Sequence, residues 1–359
     1  MKTWRASIFG ILGISALVSA AAWLPNHPEC TRWPLTFLSP DGADGGPARL
    51  VAVHRVGWAG DGQMLFSISR GESGAEEYLT LHDTTRGNRA ARIDAVGEPV
   101  VCGALSPDGL HLAVGTPARG LLWIDLKTRD EIVLAEPGRP QEFTAVAVAG
   151  DGGLIAAATT SGQIYLCTPG QRTSVILASP RESAISDVRF SRDGARLVSA
   201  QACGTVSVWE TATGKRPREF TGKEPATNAE FLVNGTRIIA ASLDDKVRIW
   251  EIDSGELICC REAGLYGVSA LAVSPDGGTA AWGGFGHSIA LWDVASMRTK
   301  VEIDTPAAVV LHLQFAPDGS SLAAAGMEAI IRRYDVPTGV ELESAAIDVS
   351  QAGRVRASR

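Results

Sequence analysis

The sequence predicts an all-β protein built from seven copies of one four-stranded antiparallel unit. In the clearest copy, from Glu230 to Cys260, short apolar runs alternate with polar turns such as Asn234-Gly235 and Ser254-Gly255. Such runs between turn residues are typical of consecutive antiparallel strands. A turn glycine recurs at intervals of 47, 43, 42, 41, 42 and 42 residues, at Gly62, Gly109, Gly152, Gly194, Gly235, Gly277 and Gly319. A near-constant period of this length indicates supersecondary units that stack to share a core.

A second position repeats with the same period. Fifteen residues after the glycine, the later copies carry a large or apolar side chain, at Ile124, Cys167, Trp209, Trp250, Trp292 and Tyr334. An acidic residue usually follows. The first copy keeps the pattern after a five-residue insertion, with His82-Asp83 placed 20 residues past Gly62. Two coupled positions make the repeat a strong signal rather than a chance spacing.

These features resemble the WD-repeat family, whose marks are a period near 42, a turn such as Ser-Pro-Asp-Gly and a closing Trp-Asp or Trp-Glu pair. The resemblance covers roughly residues 50–349. It implies a seven-bladed β-propeller of four-stranded antiparallel blades around a central channel. It also implies that loops joining the second and third strands share one face with the loops between blades, where partners often dock.

The family's fuller repeat joins its Trp to a Ser or Thr, an Asp and a His in a buried hydrogen-bonded set. Only the copy around Trp250 retains most of that set, with Ser242 and Asp244 at the matching positions and Gly222-Lys223 where the family has Gly-His. Trp123 stands one residue before the usual position, so its ring is predicted to face the other side of its sheet. The predicted structural residues are Ser242, Asp244, Trp209, Trp250, Trp292 and Tyr334.

Residues 1–24 differ from the rest of the chain. Lys2 and Arg5 precede an uncharged apolar run from Ala6 to Leu24, which predicts an apolar helix acting as a signal peptide or a membrane anchor. The two basic residues favour a propeller outside the cytoplasm. A cytoplasmic protein with an apolar leader is the alternative.

The remaining chain divides into three parts. Residues 25–50 form a Pro/Gly-rich spacer, residues 51–349 the propeller, and residues 350–359 a basic tail with three arginines. Within the spacer, the apolar segment Trp33–Ser39 is a candidate strand that could complete the last blade. Residues 340–347 could supply the same outer strand from the other end, and the sequence leaves both possibilities open.

Composition excludes several function classes. The net charge is −7 and no basic stripe is visible, so nucleic-acid binding is not predicted. The six histidines are scattered singly, and the six cysteines lack metal-ligand spacing, so no metal is predicted and the cysteines are interpreted as core residues. The Asp-Gly turns stand alone between strands and are interpreted as hairpin turns rather than calcium loops. No nucleotide-binding or nucleophile motif is present, so no cofactor is predicted.

The sequence therefore predicts a non-enzymatic protein–protein interaction platform that binds another protein or peptide. The alternative is an extracytoplasmic propeller enzyme of the lactonase or quinone-dependent dehydrogenase type. An acidic insertion in the first copy and aromatic residues in later loops are placed on one face, with a preference for basic segments opposite the glutamates. The predicted partner-binding residues are Glu72, Glu76, Glu77, Phe143, Arg181, Tyr266, Phe285 and His287.

Overall fold

Seven antiparallel sheets, each of four consecutive strands, follow one another along the chain in a computed structural model. The structure describes residues 50–58, 62, 64–71, 77–83, 89–92, 99–136, 142–171, 174–232, 235–307 and 309–346. These residues form 28 strands and contain no α-helix. The predicted all-β architecture of seven four-stranded units is confirmed.

The strands are numbered in chain order and each sheet is called a blade. Blade one contains β1 (Leu50–Trp58), β2 (Met64–Gly71), β3 (Glu77–Asp83) and β4 (Arg89–Arg92). Blade two contains β5 (Cys102–Leu105), β6 (His111–Thr116), β7 (Gly120–Asp125) and β8 (Glu131–Ala135). Blade three contains β9 (Phe143–Val148), β10 (Ile155–Thr159), β11 (Gln163–Cys167) and β12 (Ser174–Ala178).

Blade four contains β13 (Ile185–Phe190), β14 (Arg196–Gln201), β15 (Thr205–Glu210) and β16 (Arg218–Thr221). Blade five contains β17 (Ala226–Phe231), β18 (Arg237–Ser242), β19 (Lys246–Glu251) and β20 (Leu257–Glu262). Blade six contains β21 (Val268–Val273), β22 (Thr279–Gly284), β23 (Ser288–Asp293) and β24 (Arg298–Asp304). Blade seven contains β25 (Val310–Phe315), β26 (Ser321–Gly326), β27 (Glu328–Asp335) and β28 (Glu341–Ala346).

The seven blades close into a ring. The first strand of each blade contacts the first strand of the next, and β25 of blade seven contacts β1 of blade one. Trp58 at the end of β1 donates its indole N–H to the Gln314 carbonyl at 3.4 Å. Since the first strands form the inner circle, the residues they carry line the central channel of a β-propeller.

The hydrophobic core is divided among the interfaces between neighbouring blades. One apolar cluster packs blade one on blade two around Ile68, Leu112 and Ile124. Another joins blade seven to blade one through Trp58 and Ile331. Each of the other five neighbouring pairs has its own cluster. A single blade cannot bury both of its faces, so closure of the ring completes the core.

Bulges in the first strands add a polar connection between blades. The pairing of β9, β17 and β21 shifts register at Thr144, Thr227 and Ser269, each eight residues before its turn glycine. Their hydroxyls donate to the backbone carbonyls of Ile185, Val268 and Val310 in the next blade, at 2.6, 2.9 and 2.6 Å respectively. A bulge re-aims a side chain out of the regular ladder, and here it aims a hydroxyl at the neighbouring blade.

The Asp-Gly turns are hairpin turns, as predicted. Gly109 has a φ of 69°, and its amide donates to the Ser106 carbonyl at 2.9 Å. Asp108 accepts hydrogen bonds from the Ser106 hydroxyl at 2.5 Å and from the Leu110 amide at 3.0 Å. The carboxylate therefore serves the turn itself, and these bonds hold its pKa below the usual value.

The last blade takes its outer strand from the end of the chain, because β28 pairs with β27. The candidate strand Trp33–Ser39, the predicted helix in residues 1–24, most of the 25–50 spacer and the 350–359 tail lie outside the described residues. Among the described residues, no helix is long and apolar enough to span a membrane.

The closing aromatics face the preceding blade, but they are not all fully buried. Trp209 and Trp292 are 3% and 2% exposed and belong to clusters with the blade before, whereas Trp250 is only partly buried. Trp123 faces the following blade, as predicted, and is 7% exposed.

The polar set predicted around Trp250 is not formed. Asp244 binds Arg248 and the Lys246 amide, and Ser242 donates to the Glu224 carbonyl. The residue five positions after the turn glycine, which faces the closing side chain, is Ala240 in this blade. The buried pairs occur elsewhere, as Trp209 with Ser199 and as His82 with Ser67, both at 2.9 Å.

Candidate functional site

The loops joining second and third strands lie beside the loops between blades. The Ser179 amide donates to the Gly162 carbonyl at 3.0 Å, and the Phe285 amide donates to the Leu265 carbonyl at 3.1 Å. Similar bonds link the two loop types around most of the ring. We call the surface formed by residues 117–119, 160–162, 179–184, 202–204, 222–225, 243–245, 263–267 and 285–287 the loop face. The shared face predicted from the sequence is present.

One loop of this face is held by a single carboxylate. Asp245 accepts hydrogen bonds from the amides of Gly264, Leu265 and Gly267 at 3.1, 2.9 and 3.2 Å. Three donors on one side chain fix the loop that carries Tyr266, whose side chain is 40% exposed. Asp245 and Tyr266 have φ values of 64° and 57°. Left-handed backbone in residues other than Gly is uncommon and clusters at functional sites.

The hairpin of blade six packs against this loop. Phe285 is buried beside Gly267, and Gly286 approaches Leu265 so closely that a larger residue would displace it by a few tenths of an ångström. His287 follows with a φ of 57° and an exposed side chain. We call Asp245, Tyr266 and His287 the blade-six patch. It presents one aromatic ring and one imidazole on a rigid backbone.

Arg181 also lies on the loop face, but apart from this patch. It belongs to the loop between blades three and four and forms an ion pair with Glu219 at 3.1 Å. Its side chain is 46% exposed. The blade-six patch and Arg181 are therefore separate features of the same face, two blades apart.

The exposed loop positions predicted for two contact residues are wrong. Phe143 lies in β9 rather than in a loop, is 1% exposed and packs edge-on against Tyr165. Phe285 is 8% exposed, because its ring packs on Gly267 instead of facing solvent. Glu72 and Glu76 lie outside the described residues, and Glu77 begins β3.

The outer strand of blade three is a surface that the sequence reasoning missed. Val175 and Ile176 in β12 are 60% and 49% exposed, and all five residues of this strand are uncharged. The other six outer strands each carry at least one charged residue. Charged residues usually protect an exposed edge strand from pairing with another chain. The absence of charge in β12 was therefore the sequence signal that could have identified this surface.

Charged side chains meet in the central channel, and the sequence reasoning missed them too. Arg189 of blade four reaches Glu230 of blade five at 3.3 Å and His312 of blade seven at 3.5 Å. Arg55 of blade one donates to the Thr144 carbonyl of blade three at 2.9 Å. Burial raises the pKa of Glu230 to about 7, although Arg189 and the Val273 amide oppose this shift. The signal that could have revealed them was their regular spacing, since Arg55 and His312 stand seven residues, and Arg189 and Glu230 five residues, before the turn glycines of their blades.

The described residues contain no group of three or more His, Cys, Asp or Glu side chains arranged to hold a metal ion. Cys102 and Cys167 are buried core residues, as expected, and burial raises the pKa of Cys167 to about 12. Cys203 and Cys259 are partly buried. Cys260 is exposed on β20, so the core interpretation is wrong for that residue.

Comparisons with known proteins find a family model and several relatives that are similar to this chain in sequence. The family model described as "WD domain, G-beta repeat" matches residues 172–210, from the outer part of blade three to the end of β15. Periodic tryptophan protein 2 of Arabidopsis thaliana is 25% identical over 226 residues, which cover 61% of this chain and 25% of that protein. Protein groucho of Drosophila melanogaster is 25% identical over 151 residues, or 41% of this chain and 20% of that protein.

A third relative is more similar in length. Eukaryotic translation initiation factor 3 subunit I of Aspergillus terreus is 25% identical over 185 residues, which cover 47% of this chain and 54% of that protein. The chain spans about a quarter of the length of the first curated relatives that it matches.

Proposed function

The chain belongs to the WD-repeat family of β-propeller proteins, and we propose on that basis that it works as a non-enzymatic platform for another protein. The observation that carries the proposal is the blade-six patch, where Tyr266 and His287 are exposed on loops fixed by Asp245. A rigid aromatic side chain contributes contact area at little entropic cost and is enriched at protein interfaces. The printed name of one relative, a subunit of an initiation factor, is that of a component of an assembly.

The partner we propose is a protein or peptide segment with basic residues. The acidic insertion that contains Glu72, Glu76 and Glu77 follows β2 in blade one. Together with the net charge of −7, it favours attraction of basic groups. Reversal of the three glutamates to Lys is expected to weaken binding at low salt, where screening is least. Unchanged binding would exclude the insertion as a contact.

The platform is tested by comparing two double variants as bait in affinity purification. Tyr266→Ala with His287→Ala removes the exposed side chains of the blade-six patch. Ser254→Ala with Thr338→Ala changes exposed residues of turns between third and fourth strands, on the opposite face. We expect the first pair to lose a partner that wild type and the second pair retain. Equal recovery by both pairs of a partner that wild type retains contradicts this assignment.

We further propose that the propeller works outside the cytoplasm, exported or anchored through residues 1–24. Lys2 and Arg5 before the apolar run support this orientation. The test is protease protection of the full chain in intact cells. Cleavage of the propeller only after the cytoplasmic membrane has been broken would contradict the proposal.

A further inference from the structure

One layer of the central channel combines polar and small side chains. The residues seven positions before each turn glycine are Arg55, Cys102, Ala145, Asp187, Asn228, Ala270 and His312. They stand at equivalent positions of the seven inner strands. Four are polar and come from blades one, four, five and seven, and three are small and pack in the apolar clusters between blades. We call this set the channel layer.

Three of the polar side chains hold an atom without a hydrogen-bonding partner in the protein. These atoms are Asp187 Oδ1, Asn228 Oδ1 and His312 Nδ1. Their residues are only 1%, 8% and 6% exposed. A buried polar atom without a partner is destabilising, so three in one layer need an explanation.

The contacts of the neighbouring atoms show whether each unpartnered atom is a donor or an acceptor. Asn228 Nδ2 donates to Asp187 Oδ2 at 3.5 Å, so the amide oxygen Oδ1 is the free acceptor. Asp187 Oδ1 is 3.6 Å from Arg189 Nη2, an ion pair without a hydrogen bond. This layer therefore presents two acceptors, and one of them carries a negative charge.

His312 offers a donor. Its Nε2 faces Arg189 Nη2 at 3.5 Å, and because a guanidinium only donates, Nε2 accepts. Burial and the nearby Arg55 and Arg189 hold the pKa of His312 well below its usual value, so the ring is neutral. The proton of a neutral ring with an accepting Nε2 lies on Nδ1, which is the unpartnered atom.

Arg55 supplies the complementary charge. One of its nitrogens, Nη2, donates to the Thr144 carbonyl at 2.9 Å. A guanidinium has five N–H donors in a planar fork that matches a carboxylate. The layer thus has a positively charged donor in Arg55 and a neutral donor in His312, together with a negatively charged acceptor in Asp187 and a neutral acceptor in Asn228.

We propose that the channel layer binds a small zwitterion, a free α-amino acid such as glycine or alanine. Its carboxylate accepts from Arg55 and from His312 Nδ1–H, and its ammonium donates to Asp187 Oδ1 and Asn228 Oδ1. A lone anion leaves both acceptors unsatisfied, and a lone cation leaves the donors unsatisfied. The site is separate from the loop face and does not depend on the platform function.

The experiment is calorimetric titration of the full-length protein with glycine, acetate and methylammonium. We expect saturable glycine binding at least tenfold tighter than binding of either half-molecule. Acetate binding as tight as glycine binding would indicate an anion site and overturn the proposal. An absence of saturable glycine binding to folded protein would also overturn it, since water alone would then occupy the layer.

Variants locate the site. Asn228→Ala and Arg55→Lys are expected to weaken glycine binding at least tenfold. Arg248→Lys is the matched control, because Arg248 in the third strand of blade five pairs with Asp244 of the preceding hairpin, and it is expected to bind as wild type does. Glycine binding unchanged in both layer variants places the ligand elsewhere and contradicts the proposal.

A measurement on wild-type protein tests the proposal even if the variants fail to fold. In protein labelled with ¹⁵N-histidine, the Nδ1–H resonance of His312 is expected to shift saturably with glycine, with the same midpoint as the calorimetric titration. A His312 resonance that stays unmoved at saturating glycine contradicts the proposed contact.

Discussion

Trp209 donates its indole N–H to the Ser199 hydroxyl across neighbouring strands of blade four, with an Nε1–Oγ distance of 2.9 Å. Both residues are buried, with exposures of 3% and 0%. The closing tryptophan of this blade therefore has its polar atom satisfied inside an apolar interface. In blade six, the indole nitrogens of Trp282 and Trp292 have no such partner.

Ser199→Ala is expected to destabilise the protein by about 1–3 kcal/mol, because the Trp209 donor is then buried without a partner. The matched control is Ser207→Ala. Ser207 lies directly opposite Ser199 in the strand pairing and is equally buried, but its hydroxyl has no partner. Chemical denaturation of both variants checks this prediction. Equal losses would show that the Trp209 bond contributes nothing beyond packing.

Trp123→Ala is expected to destabilise the protein more than Trp250→Ala does, because the Trp123 ring is the more deeply buried of the two. Trp123 is 7% exposed and its ring stacks on His111 at 4.9 Å between centroids. Removal of a buried Trp costs about 3–5 kcal/mol, and the partly buried Trp250 is expected to cost roughly half as much. Denaturant midpoints at equal slopes give the comparison. A larger loss for Trp250→Ala would contradict the burial of the two rings.

The fold is expected to lose stability below neutral pH, because His82 is protonated more readily in the unfolded chain than in the folded protein. His82 is 2% exposed, and burial lowers its pKa from 6.5 to about 4. Between these values the unfolded chain binds more protons, so stability is full above about pH 6.5 and falls as the pH drops towards 4. His82→Gln is expected to flatten this part of the stability curve, whereas the exposed control His287→Gln is not. An identical slope in His82→Gln and wild type would contradict the shift.

The repeat could be predicted from the sequence because the ring imposes one period on every blade. The turn glycines, the strand order and the opposite orientation of Trp123 all follow from spacing alone. The polar partner of the closing residue did not, because it depends on cross-strand geometry. The bonding serine lies five residues after the turn glycine, at Ser199 and Ser67, and not seven, as at Ser242.

The candidate sites were less accessible to prediction. Spacing places Phe143 and Phe285 near loops, but only packing shows that Tyr165 and Gly267 bury them. The central channel brings together residues that lie far apart in the chain, such as Arg189 and His312, which are separated by 123 positions. Their meeting depends on the closed ring, which no local pattern describes.

The central claim is that the loop face carries the partner contact, and site-specific photo-crosslinking tests it most directly. A photoreactive phenylalanine is placed in separate proteins at Tyr266 and His287 on the loop face, and at Ser254 and Thr338 on the opposite face. Irradiation in cells is expected to give one common crosslinked protein from positions 266 and 287, and none from positions 254 and 338. The same protein crosslinked from the opposite face, or no common protein from the two loop-face positions, would contradict the claim.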